Sequence, residues 1–179
     1  RSPPNMTENH FKKSTTEHLP RVALIFSQFP CYDEVFILRE VIELDRLLSL
    51  TIFSLKKSGR DPVRHRMADE LASRTVFSPF LCSAKIFSAN LKYFFFSPAR
   101  YLGAVRTVVQ LNRGNWEFLC KALFSFPQAV YFARICSQRE ITHVHGQWAT
   151  YPAVTARVIS ILNNIPFSFT GHAHDIYLE

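Results

Sequence analysis

Short apolar runs alternate with an amphipathic segment near the start of the chain. Residues 21–27 and 50–55 are continuous apolar runs of strand length, which is typical of strands buried on both faces of a sheet. Between them, Asp33 can cap a helix over residues 34–49, whose apolar positions recur on one face. These positions are Ile37, Val41, Leu44 and Leu48. The order strand, helix, strand predicts a right-handed crossover, and therefore a sheet that begins parallel.

The same rhythm returns at the other end of the chain. Residues 141–145 and 166–170 have the pattern of strands, and residues 151–164 between them have the pattern of a helix. A weak, charged helix over residues 60–74 and a short strand over residues 75–78 follow the first strand pair. We therefore predict an α/β fold, a Rossmann-like parallel sheet flanked by helices, with a helical middle segment.

The middle of the chain, residues 81–139, has a helical pattern that is rich in aromatic and basic side chains. Because proline and glycine interrupt helices, we expect breaks at Pro98, Gly114 and Pro127. Two interpretations of the aromatic and basic positions stay open. The segment is either an aromatic stripe packed on the domain's own core or an interfacial region that lies on an anionic membrane.

Composition bounds the class of protein. A chain of 179 residues has the length of one domain, and 47% hydrophobic with 20% charged residues is typical of a globular protein. Residues 1–20 are polar and lack periodicity, so we expect a disordered tail followed by a single domain over residues 21–179. The formal net charge of +7 favours an anionic partner, such as a phosphate, a nucleic acid or an anionic bilayer.

Targeting signals and cysteine usage point to a compartment. The sequence shows neither the apolar core of a signal peptide nor an apolar run long enough to span a membrane. Its four cysteines are widely spaced and form no compact disulfide pattern. We therefore expect a cytoplasmic protein, with a peripheral position on the cytoplasmic membrane face as the alternative.

Histidines are concentrated where the last two predicted strands end. On an alternating strand His143 and His145 share one face, and Val144 lies on the other. Ligands of open α/β sheets bind outside the carboxyl ends of the strands, so the following residues should gather on the ligand side. They are His145, Gly146, His172, His174 and Asp175.

Three interpretations of this cluster compete. The histidines and Asp175 could bind a divalent metal, since neutral imidazoles are good ligands when a carboxylate orients them. They could instead be capping and packing groups. In the third interpretation a histidine and backbone amides hold a sugar or a phosphate, and Asp175 caps the following turn.

Three stretches of the sequence carry a family resemblance. Residues 29–40 read Phe-Pro-Cys-Tyr-Asp-Glu-Val-Phe-Ile-Leu-Arg-Glu, and residues 143–153 read His-Val-His-Gly-Gln-Trp-Ala-Thr-Tyr-Pro-Ala. Residues 165–177 read Ile-Pro-Phe-Ser-Phe-Thr-Gly-His-Ala-His-Asp-Ile-Tyr. Together with the strand over residues 50–55, these stretches resemble glycosyltransferases of family 4, of the bacterial polysaccharide and colanic-acid type. The resemblance is strong at both ends of the domain and weak in its middle.

That resemblance implies a GT-B fold, in which two Rossmann-like domains face each other across a cleft. The first domain binds the acceptor, and the second binds the sugar nucleotide. The family's paired-glutamate donor motif would lie beyond Glu179, so the donor domain is expected to be absent here. The chain would be the acceptor half of a retaining hexosyltransferase that takes a UDP- or GDP-sugar and serves a polysaccharide or lipid-linked acceptor. No bound metal, no other cofactor and no nucleic acid are implied, and these residues alone are not expected to transfer sugar.

The resemblance also assigns roles to residues. His172 occupies the position where these retaining enzymes use a histidine against the donor sugar, and Asp175 matches the acid of the same loop, so both are predicted catalytic residues. The loop after the first strand, which would face the cleft, lacks the glycine pair that many members carry there. The predicted substrate-binding residues are Gln28, Asp33, Glu34, His145, Gly146 and Gly171.

Two other functions are carried as alternatives. One is a truncated binding module that docks on a membrane or pairs with a partner supplying the donor half. The other is a metal-dependent hydrolase built on the histidines and Asp175.

Overall fold

Five parallel strands form the central sheet of the described part of the chain. The structure, a computed structural model, describes residues 19–30, 35–57 and 66–171. The strands are β1 Arg21–Phe29, β2 Ser49–Lys57, β3 Val76–Phe77, β4 His143–Gln147 and β5 Phe167–Thr170. They are hydrogen-bonded in the order β3-β2-β1-β4-β5, and every pair is parallel. The predicted Rossmann-like α/β fold is confirmed.

Helices cover both faces of this sheet. They are α1 Val35–Leu47, α2 Arg66–Arg74, α3 Ala84–Phe96, α4 Pro98–Leu111, α5 Trp116–Gln138 and α6 Tyr151–Asn163. Alternate side chains of β1 enter different cores, as the two-residue period of a strand requires. Leu24 and Phe26 pack with α1, whereas Ala23 and Ile25 pack with the helices that follow β3.

The chain reverses its direction across the sheet between β1 and β4. From β1 it passes through α1 to β2 on one side, whereas β4 pairs with the other edge of β1 and leads through α6 to β5. In the register of the two strands, Leu24 lies opposite His145 and Ile25 lies opposite Gly146. Crevices for ligands form at the carboxyl ends of strands at such a reversal point. The fold therefore places the ends of β1, β4 and β5 where a site is expected.

The helical middle matches the prediction at two of its three breaks. Helix α3 ends before Pro98, and α4 and α5 are separated around Gly114. The expected break at Pro127 is wrong, because this residue lies inside the 23-residue α5. A proline inside a helix costs about 3 kcal/mol. Burial of apolar residues on both sides of it, including Phe126 and Val130, offsets that cost.

The boundaries of β4 also differ from the predicted strand over residues 141–145. Pairing with β1 begins at His143, opposite Val22, and a hydrogen bond from the backbone N–H of Thr142 to the carbonyl of Arg21 precedes it. The strand then continues through Gly146 to Gln147, although glycine weakens strands. His145 is therefore in the middle of β4 rather than at its end.

Candidate functional site

A row of polar side chains runs along one face of β4 and β5 towards their carboxyl ends. We call it the polar row. Its members are His143, His145 and Gln147 of β4, with Ser168 and Thr170 of β5. In the strand register His145 lies opposite Ser168, and Gln147 lies opposite Thr170. The predicted alternation is confirmed, since Val144 is fully buried in the core on the other face of the sheet.

Hydrogen bonds link the polar row into a chain. The Ser168 hydroxyl oxygen lies 2.8 Å from His143 Nε2 and 2.8 Å from His145 Nδ1. His145 Nε2 in turn lies 3.0 Å from the Thr170 hydroxyl oxygen. Because a hydroxyl and a neutral imidazole each donate once and also accept, all three bonds can be oriented in the same direction. The chain can thus present either a donor or an acceptor at Thr170.

Burial favours the neutral form of the central imidazole, that of His145. It lowers the pKa of His145 below its ordinary value, and the neighbouring His143 acts in the same direction, against the carboxylate of Glu40 and the side chain of Gln147. A neutral His145 accepts at one ring nitrogen and donates at the other, which allows the hydrogen bonds of the chain to run in one direction. The polar row itself contains no lysine, arginine or carboxylate side chain, so it is suited to neutral, hydroxyl-bearing ligands.

Gln147 ends β4 and carries an unmet donor. The residue is only 3% exposed, and its Nε2 atom has no hydrogen-bond partner. Leaving a buried donor unpaired costs about 1–3 kcal/mol. Among the described residues, one other buried side-chain atom shares this state, the hydroxyl of Thr155 in α6. Because Gln147 is enclosed, a ligand oxygen would recover the lost hydrogen bond only by displacing the groups that cover its side chain.

Gly146 allows α6 to approach the strand closely. A Cβ atom at this position would lie 2.8 Å from Ala153 N and 2.8 Å from the carbonyl carbon and oxygen of Pro152. All three are backbone atoms of the first turn of α6, which begins at Tyr151, so no side chain can rotate away. Gly146 was predicted to bind substrate, and the structure gives it a packing role against the start of α6.

The structure brings part of the predicted site together. His145 and Gly146 lie in the carboxyl half of β4, and Gly171 directly follows β5. Gln28 was expected in the loop after the first strand, and this position is wrong, since it lies within β1 opposite Lys56. The strand extends that far because Phe29 N donates to Ser54 Oγ at 2.9 Å and keeps the end of β1 on β2. Gln28 itself is exposed at this edge.

Several predicted residues lie outside the described ranges. They are Asp33 and Glu34 ahead of α1, and His172, His174 and Asp175 after β5. Their predicted roles in capping, substrate binding and catalysis stay predictions.

Sequence reasoning missed Gln147, Ser168 and Thr170 as members of the site. A signal was present, because the two-residue period that pairs His143 with His145 also places Gln147 on their face. Serine and threonine at alternate positions of the last strand extend the same polar face. What could not be read from the pattern is the register that places these hydroxyls against the imidazoles.

The described part of the chain contains no cluster of possible metal ligands. Within those ranges no three histidine, cysteine or acidic side chains are grouped to hold one. Both ring nitrogens of His145 already face hydroxyl groups. The interpretation of the loop with His172 as a metal site is not tested by these residues.

A cleft with a volume of ≈ 320 Å³ opens near the amino ends of β4 and β5. Its walls include Ile141 and Ile165, which precede β4 and β5, together with Lys92, Arg100 and Glu140. Gln147 is six residues beyond Ile141, or about 20 Å along an extended chain. The cleft is therefore separate from the polar row.

Comparison of the chain with protein-family models, curated proteins and solved structures returns no match.

Proposed function

We propose that this domain is the acceptor-binding half of a retaining glycosyltransferase that moves a hexosyl group from a UDP- or GDP-sugar to a polysaccharide or lipid-linked acceptor. The observation that carries the proposal is the polar row, which ends in the unpaired donor of Gln147 at the reversal point of a Rossmann-like sheet. The sequence resemblance of the strand ends to family 4 glycosyltransferases motivates the choice among sugar-binding enzymes.

The chemistry of the polar row favours a sugar hydroxyl as ligand. A hydroxyl donates one hydrogen bond and accepts others, which complements a chain that can be oriented either way. The row has no cation to neutralise a phosphate, and the carboxylate of Glu40 acts on His145. An acceptor sugar therefore fits this position better than the diphosphate of the donor.

The transfer step itself is assigned to the predicted loop and to a donor-binding domain. In a retaining enzyme of this type, His172 would contact the donor sugar near the reacting carbon, where an imidazole can donate a hydrogen bond or stabilise developing charge. The polar row would hold the acceptor with its nucleophilic hydroxyl directed towards the donor sugar. Correct orientation of the two substrates is a large part of the catalytic effect in such a reaction.

Binding by the domain can be tested with a matched pair of variants. Nuclear magnetic resonance titration of the ¹⁵N-labelled chain with mono- and disaccharides should shift the Gln147 side-chain amide signals and the His145 ring signals. Gln147→Met removes the unpaired donor and should weaken binding about tenfold, the equivalent of one good hydrogen bond. Thr155→Val removes the other unpaired buried group, in α6, and should leave binding unchanged. Equal effects of the two variants, or no saccharide binding, would refute the role of the polar row.

Sugar transfer needs a second assay, on a protein that contains this domain together with a donor-binding domain. Incubation with UDP- and GDP-hexoses and candidate acceptors should release the nucleoside diphosphate, and His172→Ala should slow that release at least about a hundredfold. Absence of release with every hexose donor, or full activity of the variant, would remove the glycosyltransferase assignment.

A further inference from the structure

Helix α3 has an apolar face that stays largely exposed to solvent. Its inner side buries Ile86, Ala89 and Tyr93. Its other side carries four apolar residues at positions i, i+4, i+7 and i+8, which form one continuous stripe on a helix. These residues, the outer face of α3, are Phe87, Leu91, Phe94 and Phe95, with 66%, 39%, 46% and 68% of their surfaces exposed.

The outer face is held in place by the rest of the domain. The ring of Phe94 meets Tyr101 edge-on at a centroid distance of 5.8 Å, and Tyr101 meets the buried Phe126 at 5.4 Å. At the start of α3 the Ser83 hydroxyl accepts from the N–H of Ile86, and at its end the N–H of Ser97 donates to Tyr93 O. The exposed aromatic rings therefore belong to a capped helix with a fixed orientation.

The stretch of chain that carries the outer face has basic residues and no acidic ones. Residues 71–116 contain no aspartate or glutamate, and within them α3 and α4 carry four basic residues. These are Lys85, Lys92, Arg100 and Arg106. The two lysines are seven residues apart, so they lie on the same side of α3, along one edge of the aromatic stripe. Their long apolar stems allow the ammonium groups to extend past the rings.

This combination selects among the surfaces that could cover the outer face. A second copy bound about a two-fold axis would bring the lysines of both copies into the same contact, where like charges repel. An anionic bilayer offers a hydrophobic layer for the rings and a negative headgroup layer for the lysines. None of the helices in the described ranges is long and apolar enough to cross a membrane. Contact would therefore have α3, about 20 Å long, lying in the plane of the surface.

We propose that the outer face of α3 is an interfacial docking surface for an anionic lipid bilayer. The rings of Phe87, Phe94 and Phe95 insert at the level of the headgroups, and Lys85 and Lys92 contact the lipid phosphates. The proposal is independent of the glycosyltransferase assignment, because it requires neither a sugar nor a nucleotide. Its failure would leave the polar row untouched.

Vesicle flotation of the whole chain tests the docking surface. The chain should float with phosphatidylcholine vesicles that contain phosphatidylglycerol, less with phosphatidylcholine alone, and less again at high salt. Phe87→Ser combined with Phe95→Ser should abolish flotation. The matched control is Leu47→Ser on α1, which removes a side chain of the same 66% exposure as Phe87 and should have no effect.

Charge is tested by a second pair of variants. Lys85→Gln with Lys92→Gln should reduce vesicle binding about fivefold for each lysine. Lys56→Gln with Lys57→Gln on β2 changes the net charge equally and should reduce it much less. Equal loss in both pairs would show nonspecific attraction and overturn the proposal. So would binding that survives the double serine variant, absence of binding to the anionic vesicles, or a self-associated chain that the serine substitutions convert to monomer.

Discussion

Two glycine-to-alanine substitutions should change stability in opposite directions. At Gly146 the added methyl group would lie 2.8 Å from backbone atoms of Pro152 and Ala153, so the first turn of α6 must move away from β4. At Gly103, inside α4, the added methyl group meets no atom within 4 Å apart from its chain neighbours and the adjoining helix backbone. The chemical change is the same at both positions, and only the surroundings differ.

The magnitudes follow from those surroundings. Forcing extra volume into a packed core costs about 1–3 kcal/mol, and a domain of this size loses about 2–4 °C of melting temperature for each kcal/mol. Gly146→Ala should therefore lower the melting temperature by about 2–12 °C. Gly103→Ala replaces a flexible residue in a helix interior and should raise stability by about 0.5–1 kcal/mol, or about 1–4 °C.

Thermal unfolding followed by circular dichroism at about 222 nm gives the melting temperatures of both variants and the wild type under the same conditions. If Gly146→Ala melted at the wild-type temperature, the close approach of α6 to β4 would be wrong. If Gly103→Ala fell as far as Gly146→Ala, the effect would not depend on the contact at β4, and the packing role of Gly146 would have no support.

Three further predictions concern protonation, reactivity and surface charge. Because burial lowers the pKa of His145, its neutral form contributes stability above the pKa of about 6.5 in the unfolded chain, and this stability is lost as the pH falls. His145→Gln should therefore reduce the loss of melting temperature at acidic pH. An unchanged dependence of melting temperature on pH would contradict this prediction. Burial raises the pKa of Cys136 to about 12, so iodoacetamide should label the exposed Cys120 in the native protein and Cys136 only after unfolding. Peptide mapping locates the label, and equal labelling of the two cysteines in the native protein would contradict the burial of Cys136. The ion pair of Arg74 with Asp45 is partly exposed, so Arg74→Ala should lower the free energy of unfolding in urea by about 0.2–1 kcal/mol at low salt and by less at high salt. A larger loss, or one that does not depend on salt, would contradict a surface ion pair.

The fold class could be predicted because parallel strands leave a strong mark on a sequence. Strands buried on both faces are continuous apolar runs, and the amphipathic stretches between them fix the crossovers. Both features are local, so they can be recognised in a short segment without knowledge of the rest of the molecule. The short β3 was expected from a few apolar residues and is present as Val76–Phe77.

Strand ends were predicted less well because pairing partners determine them. Gln28 lies in β1 because β2 continues alongside it through Lys57. β4 is displaced by two residues from its expected range because its ladder with β1 starts at His143. The polar character of these positions suggests loops, whereas hydrogen bonds to a neighbouring strand keep them in the sheet. No pattern within the segment alone contains that information.

The aromatic middle shows how one sequence pattern can serve two interpretations. Apolar residues on α3 occur on more than one side of the helix, so the pattern predicted both an internal stripe and an interfacial surface. The structure separates them, with Ile86 and Tyr93 facing the core and Phe87 and Phe95 facing outwards. The inner side holds a single aromatic residue, Tyr93, so the aromatic residues of α3 do not form an internal stripe, and the outer side is the one proposed to dock.

The basic residues of α3 and α4 are not part of the polar row, and this changes what the basic composition implies. A net charge of +7 suggested an anionic ligand, and a phosphate at the strand ends was one candidate. The polar row has hydroxyls, imidazoles and one amide, and the nearby Glu40 carboxylate opposes an anion there. Basic residues without acids are instead found along α3 and α4. The proposed docking on anionic lipids and the proposed binding of a sugar are therefore compatible, because they concern different surfaces and can be tested independently by substitution at Lys85 or at Gln147.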